Sequence, residues 1–161
     1  WPGIKLASSS EINKRVKEVS RILDSGSGDL VKGRAIFKSR CGSCHRLFDE
    51  GGEIGPDLTG YDRKNVNDMV TNIIDPNAYI REGYGTFHVT TTDKRSIVGT
   101  LKAKNSSTLT IQPFHGSAIT LSLNQVKEMA EQKTSIMPEG LLDGLSDQQI
   151  RDVFAYLAKK K

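Results

Sequence analysis

Apolar positions repeat at helical spacing toward both ends of the chain and alternate at strand spacing through its middle. Ile12, Val16, Val19 and Leu23 form the first helical stripe, and Ser8 with Glu11 predicts a capping box at its start. Residues 24–29, with Gly26 and Gly28, read as a linker. Asp29 then caps a short second helix through Leu30, Val31, Gly33, Ile36 and Phe37. Val66, Met69, Val70, Ile73 and Ile74 make a third apolar face. Near the far end, Ser146 and Gln149 predict a second capping box and Leu145 with Ile150 a hydrophobic staple. Ile150, Val153, Phe154 and Leu157 follow as one buried face, with Tyr156 beside it.

Between the third and last helices the period changes. Phe87 and Val89, Ile97 and Leu101, Leu109 and Ile111, and Ile119, Leu121 and Leu123 mark short antiparallel strands, separated by turn signals at Asp93-Lys94, Asn105-Ser106-Ser107 and His115-Gly116-Ser117. Residues 126–131 fit either a fifth strand or a short helix. The order resembles a small Sm-like or SH3-like meander. The expected layout is therefore an N-terminal helix and linker over residues 1–28 and one domain over residues 29–161, interrupted by a β insertion at about residues 85–131.

Composition narrows the class. A chain of 161 residues with 26% charged and 36% hydrophobic positions folds, but is slightly poor in apolar side chains, a shortfall that a buried prosthetic group can offset. The net charge of +4 owes much to Lys159, Lys160 and Lys161, and no basic groove interleaved with aromatics accompanies it, so nucleic acid is not the expected partner. No apolar run reaches the 18 or so residues that a membrane-spanning helix requires. The start at Trp1, without a charged and then apolar leader, reads as a mature or excised segment.

The only two cysteines lie in Cys41-Gly42-Ser43-Cys44-His45, the attachment signature of c-type haem. Two thiols on one turn each form a thioether to a different vinyl group, and the next residue presents an imidazole to the iron. A thioredoxin-type CxxC needs a strand-to-helix setting that this segment lacks. A zinc site would have to recruit His88 and His115 at no recognised spacing.

The flanks resemble class I cytochromes c, in which an N-terminal helix crosses the C-terminal helix through a small glycine and an aromatic; Gly33, Phe37 and Tyr156 match those roles. A narrower resemblance is to the haem-binding domain at the C-terminal end of large exported proteins of planctomycetes and verrucomicrobia. It is carried by CGSCH, GPDLTGYDRKN, IIDPNAYI and MPEGLLDGLSDQQIRDVFAYL, over about residues 29–158. It implies a mainly α class I cytochrome c fold with an inserted small antiparallel β meander, α+β overall, and one covalent haem c with iron. His45 and Met137 would be the axial ligands, and the Pro56 carbonyl would accept from the ring N–H of His45.

Met137 precedes Pro138 in a loop before the last helix, whereas Met69 and Met129 fall on apolar faces and read as core. His88 and His115 remain alternative ligands, although their strand and turn settings suggest surface histidines. Tyr61 and Arg63 are candidate partners of the haem propionates, which need donors or positive charge when buried.

The expected function is electron transfer rather than catalysis. The implied partner is a redox protein or a fused dehydrogenase domain, and oligomeric state is not legible. The location would be periplasmic or at the cell surface, because bacteria attach haem through thioethers outside the cytoplasmic membrane. Two other classes stay open: a peroxidase-like enzyme or gas sensor with an open distal site, and a protein-binding module in which the haem is structural. No serine or threonine of the insertion is paired with histidine and acid in a recognisable local motif.

Overall fold

The computed structural model describes residues 8–80 and 84–160; residues 1–7 of the expected N-terminal segment, and the last lysine, lie outside them. Among the described residues are α1 (Ser9–Asp24), α2 (Leu30–Arg40), α3 (Val66–Ile74) and α4 (Asp147–Ala158). Each begins where a polar side chain satisfies backbone N–H groups that have no partner within the helix. Ser8 and Glu11 form the reciprocal box at α1, and Ser146 and Gln149 the one at α4. Asp29 accepts from the backbone of Val31 and Lys32 at α2, and Asn65 from that of Asp68 at α3.

Helices α2 and α4 cross where Gly33 meets the backbone of α4. A Cβ at Gly33 would lie 1.9 Å from the carbonyl oxygen of Asp152, so only glycine permits this approach. One turn on, the rings of Phe37 and Tyr156 pack with centroids 5.6 Å apart. Asp152 is buried at the same crossing and accepts from Asp29 N and Gln148 Nε2, both at 2.8 Å. A carboxylate of α4 thus ties down the start of α2.

Val19 and Ile22 of α1 are buried in the same core as Phe37, Val70, Val153 and Leu157. The sequence left open whether the first helix packs on the domain or is the tail of a preceding one; in the structure α1 is part of that core.

The middle of the chain forms β3 (Gly85–Thr91), β4 (Ser96–Lys104), β5 (Thr108–Pro113), β6 (Ile119–Ser122) and β7 (Val126–Ser135), after a short hairpin of β1 (Arg46–Leu47) and β2 (Glu50–Gly51) nearer the start. All neighbouring strands are antiparallel. The order is β6-β5-β4-β3-β7, so β7 returns to the far edge and pairs with β3. Residues 126–131, open between strand and helix in the sequence, are strand, and the strand continues past residue 131 to Ser135. Val89, Ile97, Leu109, Ile111 and Leu121 form a second core, with Met129 packed against it.

Candidate cofactor site

The attachment segment continues α2 as a tight turn. Cys41 N and Gly42 N both donate to the Phe37 carbonyl at 2.8 Å, and His45 N donates to the Cys41 carbonyl at 2.9 Å. The following loop is laced against this turn by Gly55 N to the Cys44 carbonyl and Leu58 N to the Arg46 carbonyl, each at 2.8 Å.

That lacing orients the imidazole. His45 Nδ1 donates to the Pro56 carbonyl at 2.9 Å; since a carbonyl only accepts, Nδ1 carries the proton and the Nε2 lone pair is left for a metal. Burial pushes the pKa of His45 down, against the opposing pull of that hydrogen bond, so the ring is held neutral. Gly55 lies flat against it: a Cβ there would be 2.6 Å from His45 Cε1. In the haem-free chain, burial first and the neighbouring Cys44 second push the Cys41 thiol up to about 11. It is therefore protonated at neutral pH.

A cleft enclosing about 1390 Å³ of atom-free space, its mouth included, opens beside this turn. All seven residues singled out in the sequence line it: Cys41, Cys44, His45, Pro56, Tyr61, Arg63 and Met137. His88 and His115 do not. His88 bonds to Ser96 Oγ at 2.6 Å on the sheet surface, and His115 stands edge-on to Phe114 in the β5–β6 turn. Met69, read from the sequence as core, both packs against the helical core and lines the cleft. Met129 remains in the β core.

Arg63 holds a more constrained place than a surface loop would give it. Its Nη1 donates to the carbonyls of Leu157 at 3.0 Å and Lys159 at 2.6 Å, and its guanidinium lies 4.9 Å from the centroid of the Phe48 ring. Its Nε is buried with no hydrogen-bond partner among the described residues. Among the wall residues that the sequence reading missed are Tyr84, Phe114 and Ser135, all contributed by the five-stranded sheet or its entry. Their only sequence signal was position near a strand end or turn. The sheet is held to the helical part through Lys102 Nζ, which donates to the Glu53 carbonyl at 2.5 Å.

Comparison with known proteins agrees with this chemistry. Residues 30–104 match the family model for cytochrome c. That stretch is similar to a cytochrome c domain. Cytochromes c of Stellaria longipes and Cochliobolus lunatus are each 53% identical to it over 34 residues, which is 20% of this chain and 32% of theirs. The chain thus spans about a third of the length of these curated relatives. The cofactor of the domain is a covalently bound haem c with iron. The site fits it on its own chemistry: paired thiols, a neutral imidazole with one free nitrogen, an apolar cleft and a buried arginine donor without a partner.

Proposed function

We propose that this protein is an electron carrier, with one haem c attached at Cys41 and Cys44 and closed between His45 and Met137 in a class I cytochrome fold. The single observation that carries the reading is the shared cleft, whose wall contains both thiols, the oriented imidazole and Met137. Bound haem supplies an iron that takes up and releases one electron.

The chain does the rest. Cys41 and Cys44 would hold the haem through C–S bonds, each S–H adding across a vinyl group without net change of oxidation state. Pro56 fixes the face that His45 presents, and the donated hydrogen bond strengthens the imidazole as a ligand. A thioether from Met137 is soft and neutral, favours the ferrous state and raises the reduction potential. Apolar walls such as Leu58, Ile73 and Leu157 keep water from the iron, which also sets the potential. Tyr61 and the Arg63 Nε are the proposed propionate partners.

We further propose that the donor is a dehydrogenase domain or a redox protein, that the chain is not itself an enzyme, and that it works in the periplasm or at the cell surface. These follow from the resemblance to exported planctomycete and verrucomicrobial domains and from the extracytoplasmic chemistry of haem attachment.

The test is the optical spectrum of purified holoprotein in both oxidation states, for wild type, Met137→Ala and Met69→Ala, with carbon monoxide added to the reduced forms. The expected result is a sulfur-to-ferric-iron charge-transfer band abolished only by Met137→Ala, with carbon monoxide binding only to that variant. A high-spin wild type that binds carbon monoxide readily would overturn the closed site and favour ligand sensing or peroxide chemistry.

A further inference from the structure

Asn77 sits in the turn that follows α3, outside every residue so far given a role. Its own backbone is fixed, since Asn77 N donates to Asp75 Oδ1 at 3.2 Å and Ala78 N to the Asp75 carbonyl at 3.1 Å. From there its side-chain amide reaches two points far along the chain. Oδ1 accepts from Ser135 N at 2.8 Å, and Nδ2 donates to Glu139 Oε1 at 3.3 Å. Because one partner is a backbone N–H and the other a carboxylate, the orientation of the amide is determined by its contacts.

These two anchors flank residues 136–138, with Met137 at the centre. Ser135 adds a third bond, its Oγ accepting from Met137 N at 3.1 Å. Pro138 restricts the backbone on the other side, and the loop then turns at Gly140, whose φ is +75°. The segment that carries the sulfur is thus gripped at both ends by one side chain from the α3 end of the cleft, next to Pro76, which itself lines the cleft. The exit of β7 is thereby tied to the turn that follows α3.

We infer that Asn77 is a positioning residue that holds the Met137 loop against the haem cleft and so keeps the sixth ligand in place. This rests on the reading of Met137 as ligand. The bracket needs both ends of the amide: Asn77→Asp keeps the acceptor for Ser135 N but sets a carboxylate against that of Glu139, and Asn77→Ala removes both contacts.

The experiment titrates ferric holoprotein with imidazole and follows loss of the methionine–iron charge-transfer band in wild type, Met137→Ala, Asn77→Ala, Asn77→Asp and the distant sheet variant Thr110→Ala. Thermal melting of the helices is recorded in parallel. Loss of either bracket contact is expected to lower the imidazole midpoint about 10-fold, the effect of some 1.4 kcal/mol, while Thr110→Ala titrates like wild type. Helix melting at the wild-type temperature identifies the loss as one of loop placement, and Asn77→Asp serves if Asn77→Ala does not fold. A band that Met137→Ala leaves intact overturns the ligand reading. A band abolished by Met137→Ala but titrating at the wild-type midpoint in both Asn77 variants overturns the positioning role alone.

Discussion

Gly55 lacks a side chain because the His45 ring occupies the place where one would stand, 2.6 Å from its nearest atom. In Gly55→Ala the ring must tilt, and its bond to the Pro56 carbonyl lengthens or breaks. With the proposed thioethers the haem stays attached, but loss of an orienting partner of a metal-bound histidine costs about 10- to 100-fold in ligand affinity. The acid midpoint at which His45 leaves the iron should therefore rise by about one to two pH units, read from the Soret band. An unchanged midpoint would show that the Gly55 contact does not set the ring. The grouping of Cys41, Cys44 and His45 was legible because the three residues sit on one turn. Gly55 and Asn77 were not, since each acts on a residue distant in sequence or brought near only by folding.

Among the helices, the closest approach is at Gly33, and Gly33→Val should lower stability by about 1–3 kcal/mol or more, since the added atoms collide with backbone rather than with a flexible side chain. Asp152→Ala at the same crossing strands the Asp29 N–H and should cost about 1–3 kcal/mol. Both are measured by denaturant unfolding of the holoprotein. The β1–β2 hairpin is tied to α2 differently, through Glu50, which pairs with Arg34 and with Lys38 at 3.3 Å. The Arg34 hydrogen bond, more than any other contact, holds the Glu50 carboxyl below its ordinary 4.5. Its contribution is therefore complete above about 4.5 and disappears as pH falls through the lower folded value. Amide exchange across residues 46–51 should accelerate on that acid limb in wild type and be pH-independent there, after correction for intrinsic exchange, in Glu50→Gln. The starts of α1, α2 and α4 were readable because a cap is a local event, whereas the Asn65 cap of α3 was not read. The length and edge of β7 were not, because pairing with β3 decides them and alternation in one strand does not reveal its partner.

On the scale of the whole molecule, two separate cores share one cleft. The helical core supplies the thiols and imidazole, and the inserted sheet supplies Tyr84, Phe114 and Ser135 to the wall. The sequence disclosed a sheet between the helices but not what it touches, since its contacts with the helical part arise from a few side chains such as Lys102. Leu109 is fully buried in the sheet, and Leu109→Ala should cost the sheet about 2–5 kcal/mol. The charge-transfer band should then be lost together with the sheet's circular dichroism, ahead of the helices, because the sheet ends at Ser135, next to the Met137 loop. A band that outlasts the sheet would show the two parts to be independent.

The central claim, a closed haem c that carries one electron, is tested most directly by voltammetry of the holoprotein adsorbed on an electrode, with and without carbon monoxide. The expected result is a reversible one-electron wave whose midpoint carbon monoxide does not move. A midpoint driven upward by carbon monoxide would reveal an open iron position in the ferrous protein and contradict it.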